Sequence, residues 1–255
     1  PLADDPETLY LMINLARASG RPDLADRHVR RLLQLSLMQQ LQSQQIARAW
    51  GERAFRRVSQ QGVEREPGMP FDNKAYTLGY EVFVENGKLE DAWVVAKSAV
   101  RQAPDDLVWC ERLARVSEWT GRPQVALLYW LKVAQASQRD EAWQGVLRLA
   151  PGLFDDAALI PALHYQMARQ PGDLRLAREL VAAYERLGDP QPAIAYLERA
   201  TRHNPRPELL ELLAELAERA GQPDTALRAW KLLFADPKQI TSRRALRVAM
   251  LLLQQ

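Results

Sequence analysis

The chain has 255 residues, 47% of them hydrophobic and 26% charged, with 34 Lys and Arg against 32 Asp and Glu for a formal net charge of +2. This is the ordinary composition of a soluble globular chain, of a length for one or two domains. No run is apolar enough to span a bilayer, since even Met250 to Leu253 is short, and the single cysteine, Cys110, excludes an internal disulfide.

Read in chain order, a turn recurs. Gly20, Gly87, Gly121, Gly188 and Gly221 are each followed five residues later by alanine, at Ala25, Ala92, Ala126, Ala193 and Ala226. The glycines fall 67, 34, 67 and 33 residues apart, a period near 34 with two units disguised, and a period in that range predicts stacked helical hairpins. Each glycine follows a run with helical spacing and is placed to close a first helix in the left-handed conformation. Pro22, Pro123, Pro190 and Pro223, two residues on, suit the opening turn of a second helix. The alanine then lies on the inward face, where a small side chain lets two helices approach. Opposite it stand pairs such as Met12-Ile13, Leu113-Ala114 and Leu213-Ala214, and Pro104, Pro171, Pro205 and Pro237 stop the second helices.

The spacing predicts units at 6–39, 73–106, 107–139, 174–206 and 207–240, with a degenerate unit at 140–173 and another at 40–72. In 140–173, Gly152 and Ala157 keep the five-residue spacing, but the first helix comes out about three residues short. Residues 40–72 fit worst, because Glu66-Pro67-Gly68-Met69-Pro70 breaks the run around Ile46, Ala49, Trp50 and Phe55. In 73–106, Leu78-Gly79 sits one residue early relative to Gly87. Ser242 to Leu253 reads as the first helix of a further unit, 241–255, and with Pro1 in place of methionine this suggests an excised piece of a longer protein.

This pattern resembles the tetratricopeptide repeat, a 34-residue helix-turn-helix with glycine at the turn, alanine in the second helix and proline at the end. The resemblance implies an all-α fold, a right-handed α-solenoid whose first helices line a concave binding surface. It also implies a non-catalytic, cofactor-free scaffold that binds protein partners. The wording of residues 79–92 and 183–189 is further similar to the periplasmic repeat region of outer-membrane exporters of Pel-type exopolysaccharide. That likeness implies a periplasmic scaffold ahead of an outer-membrane β-barrel, docking a polysaccharide deacetylase or hydrolase and guiding a cationic polymer. A cytosolic regulator or co-chaperone binding extended peptides is the alternative.

Nothing combines a nucleophile, a base and an orienting group. His28, His164 and His203 lie in separate units at no ligand spacing, and Cys110 reads as a small buried hydrophobe. Asp105-Asp106 and Asp155-Asp156 read as helix caps. Trp130 and Trp230 are expected in the core, Trp109 and Trp143 between units, while Trp119, just before Gly121, could reach the inner groove as a partner anchor.

Charge is laid out unevenly. Ten arginines between residues 17 and 65 face four acids, a basic region expected as a separate protein-docking surface; without interleaved aromatics it reads as solvated helix faces, and nucleic acid is not expected. On 207–218, Glu208, Glu211, Glu215 and Glu218 share one helix face, away from Leu210, Leu213 and Ala214. Either Arg175 and Arg178 before, and Arg243, Arg244 and Arg247 after, tie this stripe into ion pairs, or it lines the groove and attracts a cationic partner. On the second reading, reversing Glu211 and Glu215 to lysine weakens partner or polymer binding and leaves helicity and the melting temperature nearly unchanged.

Overall fold

The structure is a computed structural model and describes residues 5–36 and 72–253. The degenerate unit expected at 40–72, apart from Asp72, and with it Arg48, Arg53, Arg56, Arg57 and Arg65, lies outside the described residues. Two compact units are present, Pro1–Val133 and Ala134–Gln255.

Among the described residues all regular structure is helical, as expected. The first unit holds α1 (Pro6–Ala18), α2 (described over 22–36), α3 (Asn73–Glu85), α4 (Leu89–Gln102), α5 (Leu107–Trp119) and most of α6 (Pro123–Ser137). The second holds α7 (Asp140–Leu149), α8 (Asp156–Arg169), α9 (Leu174–Arg186), α10 (Gln191–His203), α11 (Pro207–Arg219), α12 (Pro223–Leu233) and α13 (Ser242–Leu253).

The hairpin turns follow from backbone chemistry. Gly20, Gly87, Gly121, Gly188 and Gly221 have φ between +63° and +74°, a region costly for any residue with a Cβ. At Gly221 the amide donates to Glu218 O and that of Gln222 to Ala217 O, at 3.1 and 2.8 Å; at Gly188 the equivalent bonds run to Glu185 O and Tyr184 O. These two bonds satisfy carbonyls that a helix end otherwise strands. Ala25, Ala92, Ala126, Ala193 and Ala226 are all essentially inaccessible. Asp106, Asp155 and Asp173 cap α5, α8 and α9 by accepting from backbone amides of the first turn.

Two expectations of register are corrected. Gly152 does not close α7; it sits in a 3-10 turn, Pro151–Leu153, and Phe154 takes the left-handed conformation at φ +55°. Phe154 N donates to Pro151 O and Asp155 N to Ala150 O, the same bonds the glycines make. Phe154 lies 33 residues after Gly121 and 34 before Gly188, so the period is intact with phenylalanine in the glycine position. Ala157 is accordingly exposed, and Leu159, five past Phe154, is buried. The second correction is in α1. Leu9, Ile13 and Ala16 form the inward stripe, and Met12, a quarter turn round from Ile13, is left 37% exposed.

The cores are as the pattern predicts. In the first unit Trp109 is fully buried, with Tyr76 and Tyr80 edge-on at 6.4 and 6.1 Å and its indole N–H donating to Asn73 Oδ1 at 2.7 Å. Gly79 lets α3 approach α2, since a Cβ there would meet Leu33 at 3.1 Å. In the second unit Leu180, Leu197, Leu216 and Trp230 fill the interior, and Trp143 stacks on Tyr165 at 5.3 Å.

Candidate interaction surfaces

The acidic face of α11 is answered by the helix that follows the next hairpin element. Glu211 accepts from Arg244 Nε and Nη2 at 3.0 and 2.7 Å, and that guanidinium holds its carboxyl below the usual glutamate range. Glu215 accepts from Arg247 Nη1. Glu218 accepts from Arg247 Nε and Nη2 through one oxygen, at 3.1 and 2.8 Å, and from Trp230 Nε1 through the other, at 2.7 Å. Glu208 stays half exposed, and its ion pair to Arg206 is long, at 3.8 Å.

Of the arginines that could have answered the stripe, Arg244 and Arg247 do so. Arg175 and Arg178 do not: both are exposed on α9 and neither has a carboxylate partner among the described residues. Both oxygens of Glu211 are held by Arg244 in a bidentate pair, which leaves that carboxylate no further partner to seek.

In the first unit Trp119 is 49% exposed at the end of α5. Trp130 is buried and donates its indole N–H to Glu118. Glu118–Trp130 and Glu218–Trp230 are the same device, a glutamate three residues before the turn glycine serving a tryptophan nine after it. That spacing stands in the sequence and was legible there. Part of the basic excess near the start is spent internally: Arg17 binds Glu85, Arg30 binds Asp26 and Asp91, and Lys88 donates to Asp26 at 2.7 Å. Burial of Asp26 opposes its ionisation, but Lys88 and Arg30 more than offset this and keep its carboxyl below the usual range.

Cys110 is fully buried, its thiol pushed up by burial and donating to Pro104 O at 3.5 Å; a thiol held neutral is a poor nucleophile. His203's side chain lies outside the described set, and among the described residues no three His, Cys, Asp or Glu side chains gather as a metal site requires.

Sequence reasoning missed a pocket in the second unit. It has a volume of about 570 Å³ and is lined by His164 of α8, Tyr196, Arg199 and Ala200 of α10, Asn204 at the α10 C-cap and Leu209 of α11, with the Pro171-Gly172 turn closing one side. Gly172 has φ +82°, and its carbonyl accepts from Arg206 Nη1 at 2.6 Å, which bolts the turn after α8 to the turn after α10. His164 packs edge-on to Tyr196 at 5.9 Å and shares a hydrogen bond with the Tyr184 hydroxyl at 3.3 Å. Burial, then the charge of Arg199, lowers the His164 pKa, so the ring is neutral near pH 7. A shallower hollow of about 380 Å³ adjoins it across Pro171 and Gly172 and includes Arg175 and Arg206. Of these positions the repeat marks Pro171, and nothing in its period points to the others as a cavity, because the walls come from α8, α10, the loops after them and Leu209 of α11.

The family model of the tetratricopeptide repeat matches residues 174–216, which cover α9, α10 and most of α11. Solved structures with a similar arrangement include YrrB, described as a TPR protein with an unusual peptide-binding site, at 15% identity, covering 81% of this chain and 90% of that one with a TM-score of 0.44. TTC0263, a thermophilic TPR protein of Thermus thermophilus, is 25% identical, covering 70% and 97%, with a TM-score of 0.33. MamA is 17% identical, covering 63% and 95%, with a TM-score of 0.34. No curated protein matches the chain.

Proposed function

We propose that this chain is a non-catalytic interaction scaffold that presents the first helices of its hairpins to a protein partner, building on the tetratricopeptide repeat matched at 174–216. The observation that carries this reading is on α9. Arg175 and Arg178 stand about one turn apart, exposed and without a carboxylate partner among the described residues, although the acidic α11 packs alongside. Charges already paired gain little from a partner; these two keep their attraction for an acidic surface. Within the first unit, half-exposed Trp119 is a separate aromatic anchor.

In the finer form of this reading the scaffold is periplasmic, part of a longer protein with an outer-membrane β-barrel. It docks the deacetylase or hydrolase of a Pel-type exopolysaccharide system, and the polymer is cationic. The wording of 79–92 and 183–189 and the acidity of α11 support it. The polymer then meets Glu208 first, because Glu211, Glu215 and Glu218 are engaged by Arg244 and Arg247. A cytosolic regulator that binds extended peptides is the second reading, favoured by the pocket between α8 and α10.

Calorimetric titration of the chain with the purified deacetylase, with the purified hydrolase and with partly deacetylated polymer tests the finer form. Arg178→Glu is expected to weaken enzyme binding about tenfold, with unchanged circular dichroism. Binding of neither enzyme and no polymer would sink the periplasmic form, and binding indifferent to Arg178→Glu would remove the α9 face from it.

A further inference from the structure

We infer that the pocket bounded by α8, α10 and the start of α11 docks an acidic peptide segment that inserts one bulky apolar side chain. The size comes first. About 570 Å³ is the volume of a ligand pocket and exceeds the gaps left by ordinary helix packing. Its walls are apolar: Pro171, Ala200, Leu209 and the rings of His164 and Tyr196. With His164 neutral, the charge among its lining residues is that of Arg199.

The charge then selects the sign of the ligand. Arg199 donates from Nε only to the Ala195 carbonyl of its own helix, at 3.3 Å, and has no carboxylate partner among the described residues. Across the Pro171-Gly172 turn the adjoining hollow carries Arg175 and Arg206 against a single acid, Asp173, whose Oδ1 is occupied by the amides of Arg175 and Leu176 at 2.8 and 3.1 Å. Arg199 at the hole and Arg175 on the hollow thus have no carboxylate partner among the described residues, Arg206 is held by Gly172 O at 2.6 Å and loosely by Glu208 at 3.8 Å, and no carboxylate lines the hole itself.

The shape selects a chain over a small anion. Pocket and hollow meet along Pro171 and Gly172, so the cationic rim runs on from the hole, as an extended backbone with flanking acids requires. Asn204, exposed at the mouth and making no side-chain hydrogen bond among the described residues, can pair with that backbone through both amide atoms. The apolar residue supplies area, and the acids supply orientation and on-rate. Residues of α8 and α10, the loops after them and Leu209 of α11 line the hole, and its rim meets the α9 face proposed above at Arg175. It deepens the peptide-binding reading that this pocket favours, and rests on it in taking a polypeptide as ligand.

The test uses the whole chain and a fluorescein-labelled peptide, Glu-Asp-Glu-Phe-Glu-Asp-Glu, read by anisotropy at low salt. Saturable binding is expected, weakening with added salt, with Arg199→Glu and Ala200→Trp each reducing affinity about tenfold or more and Arg101→Glu, exposed on α4 of the first unit, changing it less than about twofold. Arg199 is exposed, so its variant remains informative if the Ala200 plug fails to fold, as thermal melts followed by circular dichroism will show. Equal binding of the Phe→Ser or the all-lysine peptide, indifference to both pocket variants, or binding of oligothymidylate in preference to the peptide would overturn the inference. If the peptide fails while a purified enzyme partner still binds through Arg178, the pocket is wrong and the scaffold reading stands.

Discussion

Arg247 donates from Nη2 to Glu218 at 2.8 Å, and Glu218 spends its other oxygen on the buried indole of Trp230. A single carboxylate thus ties α13 to α11 while satisfying a donor inside the α11–α12 hairpin. Removing it has two effects. Glu218→Ala leaves the Trp230 N–H buried without its acceptor and Arg247 without one of its two acidic partners, a loss of about 1 to 3 kcal/mol. Glu208→Ala, at the half-exposed end of the same stripe, changes stability by no more than about 0.5 kcal/mol. Urea denaturation of both variants checks the contrast, and equal midpoints would contradict it.

Charge reversal on α11 acts on α13. Leu251 is the one side chain of α13 that is buried, so its docking leans on Arg244 and Arg247. The double variant Glu211→Lys and Glu215→Lys converts those attractions to repulsions. Amide exchange across 242–253 is expected to accelerate while α9 and α10 keep their protection. This replaces the expectation, drawn from helix faces alone, that reversal leaves the melt unchanged. Unaltered exchange in α13 would restore it.

Phe154 is 88% exposed and holds φ +55° where every neighbouring hairpin uses glycine. Nothing in its packing repays the strain. Phe154→Gly should stabilise the chain by about 1 kcal/mol, whereas Gly188→Ala, at φ +74°, should destabilise it by a similar amount. Thermal melts of the pair would show opposite shifts; a loss of stability in Phe154→Gly would mean that the ring makes a contact of its own.

Ala193 and Ala226 have no accessible surface. Leucine at either position overpacks its hairpin at a cost of about 1 to 3 kcal/mol. The midpoint in urea measures it, and tolerance of both substitutions would contradict the hairpin register.

Acid should loosen the second unit. Arg186 holds the Asp156 carboxyl, and Arg244 the Glu211 carboxyl, below their ordinary ranges. A depressed carboxylate pKa contributes stability that is complete above the unfolded value, near 4, and is lost as pH falls through the folded value. Chemical denaturation is therefore expected to show stability falling below about pH 4.5, and less steeply in Asp156→Asn combined with Glu211→Gln. Parallel pH profiles for variant and parent would remove these two pairs as the cause.

Much of this was legible in the linear chain because it rests on local chemistry. A glycine past a helical run must be free to take positive φ, and alanine at a fixed offset must be small. Hence the five hairpins, their buried alanines, the caps at Asp106 and Asp155 and the core positions of Trp130 and Trp230 follow from spacing. In the 140–173 unit the turn falls two residues past Gly152, because phenylalanine at 154 occupies a conformation whose usual marker is glycine. Met12 faces outward beside buried Ile13 because adjacent residues of one helix point about 100° apart.

Sequence by itself thus determined the helical hairpin and its period, since turn closure and close packing are decided within a few residues of one another. Tertiary structure alone decided which arginines answer Glu211, Glu215 and Glu218, which leave Arg175, Arg178 and Arg199 open, and where α8 and α10 part to make a pocket. Ion pairs and cavities depend on distances between side chains some 30 residues apart in the chain, and those distances are set by how the hairpins stack, which no local pattern records.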